Sequence, residues 1–298
     1  MKSVVTLLVA LWLPISAMAE ERRIILSGLP VWDSAPLLLL QETQPLLADG
    51  LRFEFQPWRA PEELGAKIAR QDVHVVSAPS MLAPIFARRG LPISISGTSS
   101  PAGNIKIVSR DAPGEIAVPF KGGLPDLILR SFSKGTEWEV PPIRYTATPV
   151  EAMQLLLTGQ VSAAFLAEPM ATIVKERADM PLKFVDACDV WKAAHTLGHC
   201  PTTGSYLSVG LSASEKEAIN SAISTAYGAL AADSAKAAML LQQQFTTLAD
   251  APLAAAFAGV QPAYQDGCDT GNFKNTLRIL QDYAPFEKRD VIQLLEPC

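Results

Sequence analysis

The sequence predicts an α/β protein of two lobes, each a mostly parallel sheet flanked by helices, with a helical C-terminal region. Three observations carry that prediction. Strand-like and helix-like stretches alternate over residues 23–97, which is the pattern of parallel strands joined by crossover helices. The same alternation restarts over residues 115–169. At 298 residues and 49% hydrophobic side chains, the chain is long and apolar enough to bury two cores.

"RIILS" (23–27) reads as the first strand and runs into a polar turn, Gly28 to Ser34. "APLLLLQETQPLLADG" opens a helix at Ala35-Pro36, where proline suits a first turn. "LRFEFQPW" alternates apolar and polar side chains as a half-buried strand does. "APEELGAKIARQ" is a short amphipathic helix, "VHVVSAPS" a strand, "MLAPIFARRG" a helix and "PISISG" a strand. In the second set, "EIAVPFKGG" is a strand and "LPDLILRSFSKG" a helix with Pro125 in its first turn. "VPPIRYTAT", "PVEAMQLLLTG" and "QVSAAFLAEP" then read as strand, helix and strand, and "ASEKEAINSAISTAYGALAADSAKAAMLLQQQF" as helix. One lobe therefore takes residues 20–104 and 206–298, and the other takes 105–205.

"MKSVVTLLVALWLPISAMAEE" has a lysine, an apolar run from Val4 to Ile15 and a small-x-small end at Ala17-Met18-Ala19. This is the pattern of a cleaved signal peptide covering residues 1–19. Pro14 interrupts the run well short of the ~20 apolar residues a membrane span needs. Export to the periplasm is the expectation. A net charge of −5 without a long Lys/Arg block argues against nucleic acid as a partner.

Four cysteines in an oxidising compartment favour two disulfides. Neighbourhood in sequence suggests Cys188 with Cys200 and Cys268 with Cys298, although three pairings are open. The alternative is a metal site in "CDVWKAAHTLGHC", where His195 and His199 stand four apart between two cysteines. That spacing fits no common zinc pattern, so no metal and no cofactor is expected.

In parallel sheets ligands bind outside the carboxyl ends of the strands. Those ends are Leu29 to Ser34, Ser77 to Ser80, Gly97 to Ser100, Pro119 to Leu124 and Ala167 to Met170. In "PFKGGLPD", Gly122 and Gly123 can bring amides to a ligand at a helix N-terminus, and Lys121 adds a charge that suits an anionic or carbonyl group. The stretch lacks the P-loop form. In "GLPVWDSAP", Trp32 either covers a ring or fills the core, and Asp33 either accepts from an amine or, like Ser34, caps the next helix. Ser77, Ser80, Thr98 and Ser99 offer hydroxyls to a ligand or to a turn. Glu168 faces the ligand, meets the opposite lobe, or caps the helix that Pro169 begins. There is no Gly-x-Ser-x-Gly or His-Glu-x-x-His motif, and His74 sits inside an apolar strand, so no catalytic residue and no enzyme is expected.

Three stretches carry a resemblance: "TPVEAMQLLLTGQVSAAFLAEPMATI", "SAPSMLAPIFARRGLPI" and "IAVPFKGGLPDLILRSFSKG". In order and phrasing they resemble segments of periplasmic solute-binding proteins of ABC importers, in the class that handles nitrate, sulfonates, taurine and thiamine precursors. The resemblance implies a type II periplasmic binding protein fold. It also implies a monomer that captures a small solute between its lobes for an inner-membrane ABC permease. Members of that class often carry Gly-Ser or Ser-Thr where this chain has Lys121-Gly122-Gly123, and "HTLGHC" is not part of their pattern. The expected ligand is a small polar or anionic organic solute, such as a sulfonate or a heteroaromatic vitamin precursor. The alternatives are a metal or redox accessory protein and an enzyme of precursor metabolism on the same fold.

Overall fold

The computed structural model describes residues 21–99, 103–135, 139–195, 200, 203–260, 263–266 and 278–279. The signal segment, Ser100, His199, Cys268 and Cys298 lie outside the described residues. The first run is β1 (Arg22–Ser27), α1 (Ala35–Thr43), β2 (Leu51–Phe55), α2 (Pro61–Ala69), β3 (Val75–Pro79), α3 (Leu82–Arg88) and β4 (Ile93–Ser99). The second is β5 (Ile105–Ser109), β6 (Ile116–Pro119), α4 (Leu124–Gly135), β7 (Ile143–Thr146), α5 (Pro149–Leu157) and β8 (Ala163–Ala167). It continues through α6 (Met170–Arg177), β9 (Lys183–Asp186) and α7 (Ala187–His195). The chain returns with β10 (Thr203–Ser208) and continues through α8 (Ala213–Ala232), α9 (Ser234–Gln244), α10 (Leu253–Ala258) and β11 (Tyr264–Asp266).

Local chemistry explains the boundaries. Helix α1 stops before the predicted residue 50 because Gln44 adopts a left-handed φ of 48° and Pro45 follows. Thr148 caps α5 through its hydroxyl, which accepts from the Glu151 N–H at 3.1 Å, while the Glu151 carboxylate accepts from the Ala147 N–H at 2.8 Å. A Ser212–Glu215 capping box starts α8. The long predicted helix over 213–245 divides at Asp233, whose carboxylate accepts from the Lys236 N–H and begins α9.

Two sheets result, with strand orders β11-β4-β10-β3-β1-β2 and β7-β6-β8-β5-β9. In the first, β1, β2 and β3 pair in parallel, while β10 lies antiparallel between β3 and β4. In the second, β6, β7 and β8 pair in parallel and β5 runs against both β8 and β9. The β-α-β strands thus share one direction in each sheet, and the strands that enter from the other sheet oppose them. Every strand of the second sheet lies within residues 105–186. All of β10 belongs to the first sheet.

Helices α1, α8, α9 and α10 bury Leu37, Leu38, Ile219, Ile223, Leu241 and Phe257 in a core that also takes Ile24, Leu26 and Phe53. A second core holds Trp58, Phe86, Ile128, Phe132, Phe165 and Trp191. The expected Cys188–Cys200 disulfide joins the start of α7 to the chain just before β10, with both sulfurs buried. Among the described residues no helix is long and apolar enough to cross a membrane.

Candidate functional site

A cavity of about 110 Å³ lies where the two sheets meet. The first sheet contributes Leu29, Val31 and Asp33 after β1, Ser77 to Pro79 at the end of β3, and Thr203 at the start of β10. The second contributes Ile105 of β5, Pro119 at the end of β6 and Phe120 after it, Leu124 and Pro125 of α4, Pro149 of α5, and Phe165 and Ala167 of β8. Asn104, in the outgoing crossing, completes the wall. The carboxyl ends of β1, β3, β6 and β8 therefore converge on one space, as the strand directions require.

Asp33 is the polar centre of this wall. It is 2% exposed, and its Oδ1 accepts from the Ser99 hydroxyl at 2.7 Å and its Oδ2 from the Asn104 amide at 3.2 Å. Burial raises its carboxyl above the usual aspartate range, and hydrogen bonds from Ser99, Thr203 and Asn104 oppose that rise. Since Ser99 ends β4, Asn104 precedes β5 and Thr203 begins β10, one carboxyl gathers both crossings between the sheets. Behind it, Trp32 packs at 5.5 Å against Tyr227, which stacks on Tyr264 at 4.5 Å. Burial and the nearby Asp33 charge push the Tyr227 phenol well above its ordinary value.

Asp33 and Ser77 are the two residues of the sequence-based set that reach the cavity wall. Trp32 is 1% exposed and lies in the core. The Ser34 hydroxyl donates to the Leu29 carbonyl at 2.6 Å and closes the turn after β1. Ser80 is buried at the start of the α3 turn, where its carbonyl accepts from the Ala83 N–H. Thr98 is buried in β4 between β10 and β11. Ser99 stands behind the wall, holding Asp33. Glu168 is buried, joined to Pro169 by a cis peptide, and its carboxylate accepts from the Thr172 N–H at 3.1 Å in the first turn of α6. Burial raises its carboxyl.

The glycine-rich turn is arranged differently from the expected anion cradle. The Gly122 N–H donates to the Asp126 carboxylate at 2.8 Å, and the Gly123 N–H donates to the Phe120 carbonyl at 2.7 Å. Asp126, 1% exposed, supplies the negative charge at the α4 N-terminus from within the chain and also takes Arg130 and Tyr145. Lys121 is exposed, with its ammonium 5.5 Å from the Tyr145 ring centre. What enters the wall from this stretch is Phe120, at a left-handed φ of 59°. A bulky residue in that conformation carries backbone strain, which accumulates at binding and catalytic sites.

Asn104, Phe120 and Thr203 had no motif to mark them in the sequence. Their signal is position: the residue before a crossing strand, the residue after β6, and the first residue of the return strand. In "CDVWKAAHTLGHC", Cys188 and Cys200 are bonded to each other. His195 lies 3.0 Å from the Ser131 hydroxyl and against the Trp191 ring. Among the described residues no group of three or more His, Cys, Asp or Glu side chains comes together.

Gly103 sets the direction of the outgoing crossing. Its φ is +83°, and a Cβ there would lie 2.5 Å from the Gly259 carbonyl oxygen. Gly103→Ala is expected to lose about 1–2 kcal/mol from the left-handed backbone alone, and more from the backbone collision. Urea unfolding of the variant checks this, and an unchanged midpoint would mean that the crossing takes another path.

The arrangement is the two-lobe periplasmic binding protein fold. No protein-family model matches the chain, and no curated protein matches it in sequence. Among solved structures it is similar to an ABC transporter protein from Parabacteroides distasonis, at a TM-score of 0.74 and 18% identity, covering 90% of this chain and 94% of that one. It is similar to the alkanesulfonate-binding protein SsuA from Xanthomonas axonopodis pv. citri bound to MOPS, at a TM-score of 0.69, 16% identity, and 93% and 98% coverage. It is also similar to the periplasmic nitrate-binding protein NrtA from Synechocystis PCC 6803, at a TM-score of 0.63, 11% identity, and 92% and 85% coverage. At these identities the likeness establishes the fold, and the ligands belong to those proteins.

Proposed function

We propose that this chain is the solute-binding component of an ABC importer, exported to the periplasm, where it captures a small organic solute and delivers it to an inner-membrane permease. The observation that carries this reading is the cavity at the convergent strand ends, walled by both sheets and by Asn104 of the crossing. Residues 20–104 with 203–298, and the segment between, act as the two lobes. A ligand that contacts both stabilises the closed arrangement by as much as it prefers it. Asp33 and Ser77 are the assigned ligand contacts from the first lobe. Ser99 and Ser34 hold the wall, and Lys121 is assigned no contact. The protein works without turnover, as a monomer and without a cofactor.

The test is a thermal-shift screen of small organic solutes with the mature chain, followed by small-angle scattering of each hit. A solute at 100 times its dissociation constant should add about 2.7 kcal/mol of stability and reduce the radius of gyration. Chemical conversion of a bound solute would replace this reading with an enzyme on the same fold. Absence of any stabilising solute in a broad screen would remove it.

A further inference from the structure

Resting on that reading, we propose that the cleft selects a small, mainly apolar molecule bearing an N–H donor, an amide or an ammonium, and rejects anions. The Asn104 Nδ2 amide donates to Asp33 Oδ2 at 3.2 Å. That fixes the Asn104 side chain, with its carbonyl oxygen turned away from Asp33. Asn104 is 3% exposed and lines the cavity, and its Oδ1 has no hydrogen-bond partner among the described residues. A buried acceptor without a partner is uncommon, because it has given up water for nothing. Asn104 lines a cavity walled by both sheets, so a donor on a ligand that enters there completes this oxygen.

The rest of the wall defines the body of that ligand. Val31, Phe120, Pro149 and Phe165 leave little polar surface to be matched. A cavity of about 110 Å³ suits a short branched or five-membered skeleton. Among the described residues lining it there is no Lys, Arg or His, and the single ionisable group is Asp33. The amides of Gly122 and Gly123, the other source of positive potential, are already given to Asp126 and Phe120. An anion would lose its hydration without gaining a counter-charge.

Matched probes on one skeleton separate the donor from the charge. Isobutyramide, isobutylammonium and isobutyrate are titrated into the mature protein by calorimetry, with melting temperature as a second readout. The amide or the ammonium should bind and isobutyrate should not. Asn104→Leu should weaken the binding probe by about tenfold or more, the usual effect of deleting an acceptor from a buried pair. Melting of that variant without ligand shows that it folds, and Asn104→Thr, which keeps an acceptor oxygen, should recover part of the affinity if it does not. Binding of isobutyrate in preference to both donors, particularly if Lys121→Ala abolishes it, would overturn the assignment while leaving solute capture standing. Donor binding that Asn104→Leu leaves unchanged would overturn it as well, since the Asn104 oxygen then meets water. If none of the three binds a protein that another solute stabilises, the donor assignment falls and the transport reading does not.

Discussion

Trp32→Ala should lower the unfolding free energy by about 3–5 kcal/mol, the usual cost of emptying a buried tryptophan site. The ring is 1% exposed and tilted against Tyr227, which itself stacks on Tyr264. Its removal strips a face from an aromatic column that backs Asp33, so β1, α8 and β11 lose packing together. Urea unfolding of Trp32→Ala and Trp32→Phe checks this, the phenylalanine variant falling between wild type and alanine. A stability close to wild type with ligand binding abolished would instead place Trp32 on the ligand.

The second large effect is expected from the disulfide. Cys188 and Cys200, twelve residues apart, pin α7 to the segment that leads back into the first sheet. Closing a loop of that length restricts the unfolded chain by about 3 kcal/mol. The double variant Cys188→Ser/Cys200→Ser should lose roughly that amount, and dithiothreitol should lower the melting temperature of the wild type by more than that of the double variant. A wild-type protein indifferent to reductant would show that the bridge adds nothing to the folded state. Because the bridge lies at the return crossing, its loss should also alter the lobe closure seen on ligand binding.

Much of the architecture was legible in one dimension because the elements announce themselves locally. Pro125, Thr148, Pro149 and the Ser212–Glu215 pair start helices with groups close in sequence. The alternation in "LRFEF" is buried and half-buried in turn, as its side chains require. What escaped was β5, β9, β10 and β11, short strands whose role comes from the partners they pair with. β5 is held by β8 and β9, far along the chain. Where helix 213–245 breaks was likewise decided by a single cap at Asp233 rather than by its apolar pattern.

The candidate site divides along the same line. From residue types alone, the sequence determined that polar groups and glycines would cluster at strand ends, and it named Asp33 and Ser77 among them. It also determined that two nearby cysteines could bridge in an exported chain. Tertiary structure alone decided which of those groups face the cavity. Asp126 reaches back to Gly122 and takes the helix N-terminus that an anion would have used. Asp33 draws Ser99 from one crossing strand and Asn104 from the linker, which leaves an amide oxygen unmatched in the wall. Those hydrogen bonds join residues 66 and 71 positions apart. No periodicity or motif encodes such a pairing. It arises only when two sheets meet and each buried polar atom must find a partner in the space that remains.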